Sequence, residues 1–291
     1  MPAQGTPVWI LLLRANMFLA RKNQREEISM DIVSLLLLGV VAGILAGLLG
    51  IGGGVVIVPV LFWILGANAE IPAVHLMHIA LGTSLATIII TSLSSIHAHH
   101  KRGAVQWPIV RKLAPSLVIG TLLGAVIADA LPSDGLRLFF AVFILLVSIQ
   151  LGFDIRVSPH RQTPGKLGLG VAGLVIGKLS ALVGIGGGTL TVPLLLWCNT
   201  PIRHAVATSA AGGFPIAVAG TIGFMATGWQ AADLPAWSSG YIYWPAFLAI
   251  APVSLLFAPL GAKLAHTLPV NLLKRFFAVY LAVVGINMLL S

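Results

Sequence analysis

Charge is the scarcest property of this 291-residue sequence: 9% of its residues are Asp, Glu, Lys or Arg, and the acidic ones number 8. With 58% hydrophobic residues there is too little polar surface to cover a water-soluble globule of this length, so a soluble fold is excluded and a membrane protein is implied. Cysteine is almost missing too. The single Cys198 cannot form an intrachain disulfide, and no Cys-x-x-Cys or Cys/His spacing supports a redox or structural-metal role. No Asp or Glu lies in the interior of a candidate membrane run, Asp31 and Asp129 standing at the ends of theirs, which argues weakly against proton coupling through a buried carboxylate. No nucleophile–base pair and no stretch long enough for a soluble catalytic domain is present, so the chain reads as a non-enzyme without a cofactor.

Apolar runs are what remains, at about 31–49, 54–66, 78–97, 109–130, 136–153, 167–183, 188–198, 203–226, 242–264 and 272–290. A bilayer-crossing helix needs roughly 20 apolar residues, so the chain is read as multi-pass in an inner (cytoplasmic) membrane, with the lipid bilayer as its surroundings. The net charge of +9 falls in short loops between these runs. That is the positive-inside pattern, and it leaves no basic extramembrane face for nucleic acid. The first 29 residues fit neither a span nor a secretory signal: Pro7 to Ala20 is short, carries Arg14 and has no small-residue cleavage site. They are read as an N-terminal extension, with Met30 as an alternative start.

The organisation of the rest is a duplication. GIGGG at 50–54 recurs at 184–188, each time followed five residues later by proline, Pro59 and Pro193. Thr83-Ser84 answers Thr208-Ser209, and GAVIADALPSDGLRLFFAVF (124–143) lies over GAKLAHTLPVNLLKRFFAVY (261–280) without a gap. Residues 30–153 and 167–291 therefore read as two repeats of about five hydrophobic segments, joined by a linker at 154–166. Lysine and arginine fix their relative direction. The loop after the third segment of the first copy holds Lys101, Arg102, Arg111 and Lys112; the equivalent loop of the second copy, about 227–241, holds none. One segment later the bias reverses, with Arg137 alone against Lys263, Lys274 and Arg275. Equivalent loops then lie on opposite sides, so an all-α polytopic protein of two inverted-topology repeats is expected, with the loop at 98–112 and the linker cytoplasmic.

The glycine clusters are the places where chemistry is expected. Glycine weakens a helix interior by roughly 1 kcal/mol relative to alanine, so each cluster should interrupt its run. The segment 188–198 that follows the second cluster is too short to cross a bilayer, and a re-entrant or broken hairpin fits it better. A helix beginning after such a turn presents free N–H groups and the positive end of its dipole, which favours an anion. The candidate substrate-binding residues are Gly52, Gly53 and Gly54 in the first copy and Gly186, Gly187, Gly188 and Thr189 in the second. The hydroxyl pairs Thr83, Ser84, Thr208 and Ser209 and the intramembrane Lys178 complete the set. For the glycines the competing reading is close helix packing; for the hydroxyls it is bonding to the preceding turn; for Lys178 it is snorkelling to the headgroups.

With GIGGG followed by VP, the paired TS dipeptides and HAHHKRGAVQW after the third segment, the chain resembles the TauE/SafE family of membrane anion exporters over about residues 31–290. The resemblance implies export of a small sulfur-containing anion such as sulfite, thiosulfate or an organosulfonate. Lys178 departs from the family pattern, where an uncharged residue is usual. The coupling ion, the oligomeric state (a homo-oligomer is open) and a non-transporting scaffold role are not decided by the sequence.

Overall fold

The computed structural model describes residues 32–47, 53–68, 71–153, 165–267 and 270–290. The N-terminal extension, Gly52 and the linker residues 154–164 lie outside the described residues.

In lipid every backbone polar group must be bonded within the protein, and the apolar runs accordingly form helices. The first half contains α1 (Ile32–Gly47), α2 (Gly54–Gly66), α3 (Leu76–Lys101), α4 (Trp107–Asp129) and α5 (Ser133–Gly152). The second contains α6 (Lys166–Val183), α7 (Gly188–Trp197), α8 (Ile202–Thr227), α9 (Trp244–Thr267) and α10 (Val270–Leu290). Five of the described helical stretches, centred on α3, α4, α5, α8 and α9, are long and apolar enough to cross a membrane. The 10 residues of α7 reach about 15 Å, half of a hydrocarbon core.

A two-residue antiparallel ladder, β1 (Ser238–Ser239) with β2 (Ile242–Tyr243), adds a strand element that hydropathy did not indicate. The apolar run expected to begin near 242 becomes helical only at Trp244. Gly240, at φ 56°, turns the chain there, and the N–H of Tyr243 is drawn off to the hydroxyl of Thr83 at 3.0 Å.

α3 and α8 lie against each other at the centre and are mostly buried, while α4, α5, α9 and α10 turn large apolar side chains such as Leu123, Leu146, Leu256 and Val279 outward. Outward leucines suit lipid. The two halves interlock: α6 packs on α4, α5 on α10, and α1 on α9. Glycines four residues apart make the close approaches. A methyl group added at Gly173 or Gly177 would run into Ser116 or the Leu117 carbonyl of α4; one at Gly39 or Gly43 would run into Val253 or Ser254 of α9. Gly39 and Gly43 occupy the places of Gly173 and Gly177 in the repeat, so each half offers the same surface to the other.

Candidate functional site

Each glycine cluster forms a left-handed turn that starts a short helix. Gly53 caps α2 at φ 74°, ψ −15°, and Gly187 caps α7 at φ 74°, ψ −4°. Glycine tolerates this region without the Cβ clash that other residues meet. The Gly53 carbonyl accepts the N–H groups of Val56 and Ile57, and that of Gly187 accepts those of Leu190 and Thr191 at 3.2 and 2.8 Å. The amides of Gly54, Val55, Gly188 and Thr189 stand ahead of these bonds. No described backbone carbonyl accepts them, which is the normal condition of a helix start.

The turns touch. A methyl group at Gly54 would overlap the Gly184 carbonyl and sit 3.2 Å from the Cα of Ile185. The Ser84 hydroxyl of α3 donates to that same Gly184 carbonyl at 2.9 Å. Gly213 of α8 lies against the Gly186 carbonyl, where an added methyl would stand at 2.6 Å. The sequence-predicted residues Gly53, Gly54, Ser84, Gly186, Gly187 and Gly188 are thus brought into one buried centre between α3 and α8.

The surroundings of the two turns differ in kind. Around Gly53 the nearest groups are the Ala42 carbonyl, the Ala46 methyl and Ile57, at 3.3, 3.4 and 3.7 Å from an ideal Cβ. Around Gly187 they are Ile216 at 2.5 Å and the hydroxyls of Ser180 and Thr191, both at 3.5 Å. Ser180 and Thr189 each keep a buried hydroxyl without a hydrogen-bond partner, as does Ser209. An unsatisfied buried hydroxyl costs about 1–3 kcal/mol, and two of them stand beside free helix-start amides.

Other expected residues are placed elsewhere. Thr83 Oγ1 accepts the N–H of Tyr243, and Thr208 Oγ1 accepts the N–H of Gln106, both at 3.0 Å. These are equivalent bonds in the two halves, each pinning the start of a repeat's fourth helix (α9 and α4), a role that neither an anion site nor local back-bonding had suggested. Lys178 is exposed on α6, on the stripe that carries Val171, Leu174 and Val175, and is not gathered with Gly187. Ser180 was missed. Its signal was present in the repeat: it is a hydroxyl at the place of Ala46, four residues before the second cluster.

Basic residues crowd the C-terminal end of α3 and acidic ones its N-terminal end, where Arg137 is the exception; the two ends are about 39 Å apart for its 26 residues. At its C-terminal end Arg203 donates to the Arg102 carbonyl and His204 to the Ala104 carbonyl, and Lys101, Arg111 and Lys112 are exposed nearby in sequence. At the N-terminal end His78 bonds the Ala128 carbonyl, next to Asp129.

Comparison with known proteins adds a family. The model described as "Sulfite exporter TauE/SafE" matches residues 35–288. A Haemophilus influenzae protein named "Probable membrane transporter protein" is 39% identical over 259 residues, covering 88% of this chain and 97% of its own. Bacillus subtilis YunE, of the same printed description, is 27% identical with 89% and 98% covered, and Methanocaldococcus jannaschii MJ0441 is 29% identical with 88% and 94% covered. No solved structure matches.

Proposed function

The chain belongs to the TauE/SafE sulfite exporter family, and from that premise we propose that it is a secondary carrier exporting a small sulfur oxyanion or organosulfonate across the inner membrane. The observation that carries this reading is the second glycine turn: free amides of Gly188 and Thr189 at a helix start, with the unpartnered hydroxyls of Ser180 and Thr189 beside them. Converging N–H and O–H donors suit the oxygens of sulfite, thiosulfate or a sulfonate. A cation would need carbonyl or carboxylate oxygens.

Two inverted repeats and alternating access complete the proposal. Support comes from the reciprocal contacts, in which α1 packs on α9 as α6 packs on α4, together with the separation of basic and acidic residues to opposite ends of α3. Rocking of one half against the other would expose the buried centre to each side in turn. The sequence has no ATPase motif, so a gradient or a partner supplies the energy.

Tight packing favours a second reading, a membrane scaffold that moves nothing. Ile88 lies 2.9 Å from a methyl placed at Gly54 and 3.0 Å from one at Gly186, filling space between the turns. Proteoliposome flux separates the two. The carrier reading expects saturable movement of labelled sulfite, thiosulfate or a short sulfonate, with binding to the purified chain by calorimetry. Absence of flux and binding for all three classes would leave the scaffold.

A further inference from the structure

The other cluster of chemically capable groups lies at the N-terminal end of α3, away from the glycine turns. His78 is 3% exposed and its Nε2 lies 3.0 Å from the Ala128 carbonyl. A carbonyl only accepts, so Nε2 carries the proton and Nδ1 presents a bare lone pair. That Nδ1 is buried with no partner, and so is Nδ1 of His75, in the single turn that precedes α3. The Tyr241 ring lies over both histidines, with ring centres 4.9 Å from His78 and 5.6 Å from His75. Its hydroxyl donates to Asp129 Oδ1 at 2.8 Å. Burial and that bond to Asp129 push the phenol above its ordinary range, so it remains a donor. The other described charged groups toward this end are the Asp134–Arg137 pair of α5, which hold each other at 3.4 Å, and the exposed Asp233 ahead of the hairpin. Glu70 lies outside the described residues.

Tyr241 also belongs to the loop that clamps the central helix. Its carbonyl lies where a methyl group on Gly82 would stand at 2.7 Å, and two residues on, Tyr243 bonds Thr83. Ser84, the next residue of α3, holds the second glycine turn. One helix therefore runs from His78 past the hairpin contact to the buried centre, within six residues.

We propose that His78, with His75, Asp129 and Tyr241, is the proton-binding site of this carrier, and that its protonation releases the β1–β2 hairpin from α3. The proton adds to the Nδ1 lone pair and makes an imidazolium in which both ring nitrogens donate. The observed packing gives the new N–H no acceptor, and a buried charged donor left unpaired is costly. The ring must turn toward Asp129 or water, and Tyr241 must yield. Loss of the Tyr241 clamp frees the segment that is pinned to Gly82 and Thr83. A proton bound here links its own gradient to opening of the anion path.

This proposal rests on the carrier reading for its role but not for its test. A nitroxide on Ala236→Cys, in the full chain with Cys198→Ser, reports hairpin motion in ligand-free protein. Mobility should rise as pH is lowered from about 8 toward about 4, a range reaching past the ordinary histidine midpoint because the charge must form in a buried place. His78→Gln, which keeps a donor for Ala128 but cannot bind a proton, should hold the label still at every pH. Tyr241→Phe should leave it mobile throughout. In liposomes His78→Gln should lose roughly tenfold or more of flux driven by a pH gradient. A label indifferent to pH, or a His78→Gln chain that responds as the parent does, would overturn the proton site. Absence of flux with a normal label titration would instead sink the carrier reading alone.

Discussion

Over the described residues the helix starts at Gly53 and Gly187 match in backbone and differ in surroundings. Gly53 and Gly187 share φ 74° and start helices with the same pattern of carbonyl acceptance. In the repeat, Ala46, Val55, Ile57 and Ile88 at the first turn become Ser180, Thr189, Thr191 and Gly213 at the second. Three apolar side chains are exchanged for hydroxyls, and a bulky isoleucine for none. The first turn presses Gly54 onto Gly184, and the second carries the unpartnered hydroxyls on which the proposed anion site rests.

The largest effect that would break this comparison comes from adding a single methyl to each turn. Gly187→Ala and Gly53→Ala both place a Cβ at positive φ, costing about 1–2 kcal/mol of stability. At Gly187 the methyl also meets Ile216 at 2.5 Å, a further stability cost that a thermal melt separates from affinity, and comes within 3.5 Å of the Ser180 and Thr191 hydroxyls. Anion affinity in calorimetry should drop beyond detection for Gly187→Ala and stay near that of the parent for Gly53→Ala. Equal losses would restore a symmetric site.

A gentler test removes only the hydroxyls. Each hydrogen bond to a charged group is worth about 1.5–3 kcal/mol, roughly 10- to 100-fold in affinity. Ser180→Ala and Thr189→Val should each weaken binding on that scale while leaving thermal stability equal or higher, because each relieves an unsatisfied buried oxygen. The reverse changes Ala46→Ser and Val55→Thr should leave affinity within about twofold, less than one such bond would supply. A stability loss without an affinity loss in Ser180→Ala would mark that hydroxyl as structural.

Whether the turns are approached from opposite faces is sharpened by labelling rather than affinity. Single cysteines at positions 105 and 238, in a Cys198→Ser chain, should react from the cytoplasmic and external sides respectively. Reaction of both from one side would make the repeats parallel and remove the basis for treating the turns as mirror counterparts. The smallest effect is expected at Lys178: Lys178→Met should leave anion affinity unchanged, since the side chain is exposed on the α6 stripe with Leu174 and Val175. A tenfold loss, equivalent to about 1.4 kcal/mol, would bring it back into the site.

Legibility followed the range of the interactions. The glycine turns and the shortness of α7 could be read because backbone conformation and hydropathy are local properties, whereas the central placing of α3 and α8 came only with packing. Thr83 and Thr208 were singled out as a pair for an anion, and the bonds they make, to Tyr243 and Gln106, join residues 160 and 102 positions away. Lys178 drew notice through its charge, and only packing showed which face of α6 carries it. Gly39, Gly43, Gly173 and Gly177 carry the close helix packing that had been offered as the alternative use of the clusters.

The sequence by itself determined the medium, the duplication and the backbone of each turn. Scarce charge forces the chain into lipid, a repeated string of residues needs no coordinates to be seen, and clustered glycines admit the left-handed turn wherever they are placed. Tertiary structure decided which hydroxyls are satisfied. Ser84 spends its proton on Gly184, whereas Ser180 and Thr189 keep buried oxygens without partners. Hydrogen-bond satisfaction is a property of neighbours brought together by folding, so identical residue types in one chain end as a clamp in one place and as an open donor in another.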